Sequence, residues 1–250
     1  MPTNLGTTKE LEVVQAIDGK KVKELSNNMR SFLSALYVCL DDEEVVKCHK
    51  IDDFIKPDFV ITYKGQDKYV SMKTGRAETV HQELIKNFVL FLRSMGISNR
   101  TQKTILYYQY GDGTLDGTGK ERIDYNKLRL KLADRIKEAN DELNQSKDFI
   151  MEVIKRCLFI GTLENAVSID CVYFGDYRYG VVATRKQIEK HIYRKDWNWM
   201  DNLHIGPIQL RPHARYIGKK IKNPTSRDKI ECYWANFSSD IDFISSRYDY

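Results

Sequence analysis

A chain of 250 residues that is 42% apolar has ample material for a buried core, and predicts one large domain or a core domain carrying an inserted or appended helical part. Its 40 Lys and Arg stand against 35 Asp and Glu, so the formal charge is only +5 and any partner must be argued from local clusters. No single-sign polar stretch of the kind that stays disordered is present, and no run of roughly 18 apolar residues predicts a membrane span.

The first residues, Met-Pro-Thr-Asn-Leu-Gly, have neither a basic nor an apolar leader region, so a soluble, cytoplasmic protein with no membrane partner is expected. Five scattered cysteines (Cys39, Cys48, Cys157, Cys171 and Cys232) form no Cys-x-x-Cys pair and no Cys/His quartet. They argue against a disulfide framework and a structural zinc site, and read as small buried hydrophobes in a reducing compartment.

In chain order, Leu25, Met29, Phe32, Leu33 and Leu36 recur at helical spacing and predict a helix over 21–39. A short strand at 45–49 follows the acidic run 41–44. Two strands, 58–63 and 68–73, then flank Lys64-Gly65-Gln66-Asp67 and predict a hairpin with a type II′ turn. Thr79 and Gln82 have capping-box spacing before an apolar stripe, Leu84, Phe88, Phe91, Leu92 and Met95, so a helix is expected over 79–95, stopped by Gly96.

The β-type run 104–110 predicts a strand, and the glycine-rich segment 111–119 a mobile connection. That segment lacks the Gly-Lys-Ser/Thr ending of a phosphate loop. Residues 124–143 and 147–159 predict a helical hairpin. The last third predicts strands at 167–174, 179–183, 205–217 and 229–235, with short helices at 184–193 and 239–245. The fold class is therefore a mixed α/β core over 1–110, a helical insertion over 111–165, and additional C-terminal strands over 166–250. Those strands either extend the core sheet or form a second one.

The hairpin carries the chemistry. The predicted pairing sets Tyr63 opposite Lys68 and Asp58 opposite Lys73, with Ser71 on the same face as Lys73 because successive side chains alternate. A carboxylate, a hydroxyl and an ammonium group thus converge at the hairpin's open end. A bare cross-strand ion pair at a sheet end is the plain structural alternative.

Pro57-Asp58, followed thirteen positions after Asp58 by Ser71-Met72-Lys73, resembles the PD-(D/E)xK nuclease superfamily. The resemblance covers about residues 21–110 and implies a mixed central sheet of restriction-endonuclease-like type flanked by helices. It also implies Mg²⁺, for which Mn²⁺ may substitute, held by Asp58 and by the backbone carbonyl of Met72, with Lys73 acting on the attacking water and the phosphate. Mg²⁺ takes oxygen ligands, and phosphodiester hydrolysis needs an activated water and neutralised charge.

Ser71 departs from the family pattern, which has an acid there. A Ser-x-Lys variant is similar to restriction endonucleases of CCGG-type sites, in which a glutamate on the following helix replaces the missing acid. Glu83 is the candidate, and Glu78 its competitor; for each, complementing the helix dipole is the structural alternative. Ser71 would then line the site or bond to Glu83. Glu24 on the first predicted helix is a further metal candidate, against a plain surface role, with Glu43-Glu44 behind it.

Candidate nucleic-acid contacts are Arg76 after the hairpin, His81 and Gln82 beside Glu83, and the basic segment Arg211, His213, Arg215, Lys219, Lys220, Lys222 and Arg227. Residues 211–229 hold seven Lys and Arg against one acid, Asp228, the composition of a phosphate-tracking surface or of a solvated face. The expectation is a Mg²⁺-dependent DNA endonuclease of restriction or defence type, by analogy a homodimer. Its rivals are a catalytically inactive nuclease fold that binds nucleic acid or assembles with partners, and an RNA-directed nuclease.

Overall fold

A computed structural model describes residues 5–51, 55–75, 78–119, 122–164, 166–197, 202–213 and 226–247. In chain order its elements begin with α1 (Leu5–Ile17), α2 (Asn27–Leu36), β1 (Lys47–Lys50), β2 (Phe59–Tyr63), β3 (Gln66–Lys73) and β4 (Thr79–Leu84). Helices α3 (Ile85–Ser94), α4 (Asn99–Tyr110), α5 (Tyr125–Lys131), α6 (Ala133–Leu143) and α7 (Lys147–Ile154) follow. Then come β5 (Cys171–Gly175), β6 (Gly180–Thr184), α8 (Arg185–Arg194), β7 (His204–Ile205), β8 (Ile208–Pro212), β9 (Lys229–Trp234) and α9 (Phe237–Arg247). Among the described residues no helix is long and apolar enough to cross a membrane.

The chain divides into two compact units that alternate along the sequence. The first comprises Met1–Glu78, Leu158–Arg194 and Asn236–Tyr250; the second comprises Thr79–Cys157 and Lys195–Ala235.

The first unit is a mixed five-stranded sheet in the order β1-β2-β3-β5-β6, with β3 and β5 parallel and the other neighbours antiparallel. Alternation of side chains gives it two apolar faces. On one, Phe32 of α2 lies 4.5 Å from Tyr173 and edge-on to Phe59, with Met29, Ile61 and Val70 fully buried around them. On the other, Phe174 meets Phe237 of α9 at 6.3 Å. Helix α1 was not expected: of its apolar residues Val13 and Ile17 are buried but Leu11 is exposed, so its stripe is thin in the sequence.

The hairpin register differs from expectation. Lys64 and Gly65 both have positive φ, 47° and 74°, so the turn is a two-residue type I′ rather than II′. Tyr63 therefore pairs with Gln66 and Phe59 with Val70, a shift of two positions. A shift of two keeps every side chain on its predicted face. The predicted 21–39 helix is also shorter: a tight 3-10 turn, Val22–Glu24, precedes α2, which Ser26 caps through the Met29 N–H.

The second unit is built on an antiparallel sheet in the order β4-β9-β8-β7. The C-terminal strands thus take both expected roles, β5 and β6 extending the first sheet while β7–β9 join β4 in the second. Residues 79–84 are a strand rather than the start of a helix, because β4 finds a partner in β9. The chain turns helical only after Ile85 N–H donates to Asp228 O at 2.7 Å.

Residues 104–110 are helix, not strand. Ser98 caps α4 through the Thr101 N–H, Gly111 closes it at φ 61°, and the buried Thr101, Thr104, Ile105 and Tyr108 recur at helical spacing. Packing on that stripe overrides the β preference of Thr, Ile and Tyr. Gln109 ties α4 to the start of β9, donating to the carbonyls of Arg227 and Lys229 at 2.9 Å each. The predicted 124–143 helix breaks at Leu132 into α5 and α6.

The glycine-rich segment is fastened rather than loose. The inaccessible Asp112 carboxylate accepts from Thr114 N, Thr114 Oγ1, Gly119 N and Arg227 Nη2. All five cysteines are free thiols, and all but Cys39 are buried.

Candidate active site

Asp58 sits at the entrance to β2, behind the buried Pro57, and regular pairing with β3 stops one residue later at Phe59↔Val70. Its backbone is pinned on both sides: its N–H donates to Val70 O at 2.8 Å, and its carbonyl accepts from Ile51 N at 3.0 Å. Among the described residues its side chain is pinned on one oxygen only. Oδ2 accepts from Met72 N at 2.6 Å and from Ser71 Oγ at 3.2 Å. At this end of the hairpin it is the Ser71 hydroxyl, not the Lys73 ammonium, that bonds to Asp58.

Lys73 ends β3 two residues beyond Ser71, on the same face and half-buried. Among the described residues neither Asp58 nor Lys73 forms an ion pair, and the Lys73 ammonium has no hydrogen-bond partner. The Asp58 carboxylate is thus held by neutral donors, while the Lys73 ammonium is half-buried at the end of its strand. Such groups are available to a cation, a water or a phosphate.

Glu83 belongs to the second unit and lies on strand β4, not on a helix. Both of its oxygens are used there: Arg156 Nε donates to Oε1 at 2.8 Å, Arg156 Nη2 donates to Oε2 at 2.7 Å, and His81 Nε2 lies 3.1 Å from Oε1. Burial opposes ionisation of this carboxyl, but the hydrogen bonds from Arg156 and His81 outweigh it and hold its pKa below the ordinary 4.5. The bond to Glu83 likewise raises Arg156, whose guanidinium also covers the Phe91 ring at 4.5 Å. Glu83 is thus the anion of a closed ion pair, and Ser71 bonds to Asp58 rather than to it. His81 shares the face of Glu83 by strand alternation, whereas Arg156 lies 73 positions away and has no local signal in the sequence.

The remaining candidates divide. Glu24 is not on an α-helix: it ends the 3-10 turn, and its Oε2 accepts from Lys21 N at 2.9 Å, a cap. Gln82 is a strand residue on the solvent face, donating to Glu231 Oε1 at 3.3 Å, not a helix cap. His213 Nδ1 lies 2.7 Å from the same Glu231 oxygen. The Arg211 guanidinium covers the Tyr233 ring at 3.3 Å and donates to Gln209. Arg227 is turned inward onto Asp112 and Gly119 O. Arg76, Arg215, Lys219, Lys220 and Lys222 lie outside the described residues.

Mg²⁺ often takes one or two protein carboxylates and completes its octahedron with water and substrate phosphate. In the first unit, among the described residues, the second Asp58 oxygen lies outside the hydrogen bonds to Ser71 and Met72. Among the described residues no group of three or more His, Cys, Asp or Glu forms a metal-binding cluster. No family model and no curated protein sequence matches the chain. Among solved structures it is similar to the restriction endonuclease MspI in complex with its cognate DNA, at 13% identity over 91% of this chain and 88% of that one, with a TM-score of 0.48.

Proposed function

We propose that the chain is a Mg²⁺-dependent endonuclease acting on DNA, of restriction or defence type, with its site at the open end of the β2–β3 hairpin. One observation carries the reading. Asp58 is fixed through a single carboxylate oxygen by Ser71 and the Met72 N–H, and Lys73 stands on the same face with no counter-charge among the described residues.

In this reading the free Asp58 oxygen and the Met72 carbonyl would hold Mg²⁺, which when bound supplies charge neutralisation and a more acidic water. Lys73 orients the attacking water and offsets charge that develops on the phosphate oxygens. Ser71 acts through Asp58 and holds it in one rotamer. With one carboxylate in place of two, the protein binds metal weakly alone and more tightly when a phosphodiester contributes oxygens.

The test is cleavage of plasmid DNA in Mg²⁺ or Mn²⁺, with EDTA as control, for the wild type, Asp58→Asn and Lys73→Ala. Activity that persists in both variants sinks the assignment, and the same assay on RNA separates the substrates. A second reading, a nuclease fold that binds nucleic acid without cutting it, is favoured by the closure of Glu83 onto Arg156. It predicts DNA retention without metal-dependent cleavage.

A further inference from the structure

A groove of about 620 Å³ lies in the first unit, at the end of β3 opposite the Ser71–Lys73 site. Lys68, at the start of that strand, precedes Lys73 by five residues, roughly 16 Å at the ordinary strand rise. The groove's volume falls within the range of small-ligand sites, about 300–1,000 Å³.

Its charge is lopsided. Lys68, Arg185, Lys186 and Lys190 line it against a single acid, Asp170. Lys68 is 3.1 Å from Asp170 Oδ1, and Asp170 Oδ2 also accepts from Tyr69 N. Arg185 is braced: its Nε donates to Glu189 and its Nη1 to Ser168 Oγ, each at 2.8 Å, with the guanidinium over the Phe159 ring. Lys186 and Lys190 are one helical turn apart on α8, and neither ammonium has a partner among the described residues. Counting Glu189 as well, the cations exceed the acids by two. The end of α8 is already closed by Thr184 and Gln187, which exchange backbone and side-chain hydrogen bonds, so the positive potential comes from the side chains.

The other wall is apolar. Leu36, the last residue of α2, and Val38 just beyond it line this wall, and Val38 is fully exposed. A ligand suited to this groove carries multiple negative charge at one end and a flat apolar body at the other. We infer that the groove binds a nucleotide, its phosphates on Lys186, Lys190 and the braced Arg185, and its base against the Leu36–Val38 wall. The nucleotide is either free or one unit of a nucleic-acid strand. The inference does not depend on cleavage at the hairpin.

The test is calorimetric titration of the full chain with ATP, with a short single-stranded oligonucleotide and with sodium phosphate, all in EDTA at low salt. Charge reversal at two exposed contacts (Lys186→Glu with Lys190→Glu) is expected to weaken binding at least about tenfold. Lys137→Glu, in the second unit, leaves it unchanged, and thermal unfolding checks that the variants fold. Val38→Asp weakens ATP more than phosphate, because only ATP has a base to seat. Saturable ATP binding assigns a free nucleotide; binding of the oligonucleotide alone, lost in the double variant, assigns a strand. Failure of all three probes, equal weakening by Lys137→Glu, or phosphate binding as tightly as ATP overturns the inference.

Discussion

The two units each hold a carboxylate and a cationic side chain on β-strands or the helix beside them, with opposite outcomes. In the second unit Glu83 and Arg156 form a two-point ion pair with His81 on the same carboxylate. In the first, Asp58 and Lys73 have no such pairing among the described residues, and Asp58 is anchored instead by neutral donors. The fold thus satisfies one acid–base pair internally and leaves the other open. The proposed site draws on the second.

The largest expected effect breaks the closed cluster. Arg156→Leu leaves Glu83 buried with only His81 beside it, and should destabilise the protein by about 3–5 kcal/mol in urea unfolding. Replacing Glu83 with Gln in the same protein should recover part of that loss. If Arg156→Leu is silent, the cluster is not structural and Glu83 returns as a candidate for catalysis.

At the open pair the effect should fall on activity. Asp58→Asn keeps an oxygen for the Ser71 and Met72 donors but removes the charge, and Lys73→Ala removes the ammonium. Each should cut DNA cleavage by about a hundred- to a thousandfold, while unfolding free energy moves by no more than about 0.5 kcal/mol.

Ser71→Ala tests the link between hydroxyl and carboxylate. Loss of one hydrogen bond of about 1 kcal/mol should lower cleavage roughly fivefold and raise the Mg²⁺ needed for half activity. An unchanged metal requirement would make Ser71 a packing residue.

The smallest effect is a pH slope. Burial lowers the pKa of His204 below 6.5, against a backbone bond to Gly206 O that favours the charged form. The unfolded chain therefore takes up the proton first. His204 contributes stability that is complete above pH 6.5 and declines as the pH falls below it, at no more than about 1.4 kcal/mol per pH unit. The carboxylate of Glu83, with its lowered pKa, adds a second loss only below about pH 4.5. His204→Asn should flatten the first window, measured by urea unfolding at several pH values.

The hairpin was legible because alternation and a glycine turn are local signals. Its register differs by two positions from the sequence expectation, because Lys64 tolerates positive φ and allows a tighter turn than a four-residue loop. The face assignment survived because two is the strand period. Residues 104–110 read as strand from residue type alone, although Ser98, Gly111 and the spacing of Thr101, Thr104, Ile105 and Tyr108 all point to helix. Glu83 was placed on a helix because β4 owes its form to β9, about 150 positions away. No window of sequence contains that partner, or Arg156.

The alternation of the two units along the chain has a consequence for synthesis. The sheet of the first unit is complete in strands once Thr184 has been made, yet Phe174 waits for α9 and its Phe237. Roughly fifty residues, most belonging to the other unit, emerge from the ribosome in between. During that interval an apolar face lacks its cover, which is the surface a chaperone holds and the one through which nascent chains aggregate. Truncation before residue 237 should therefore produce an aggregating first unit rather than a smaller folded one.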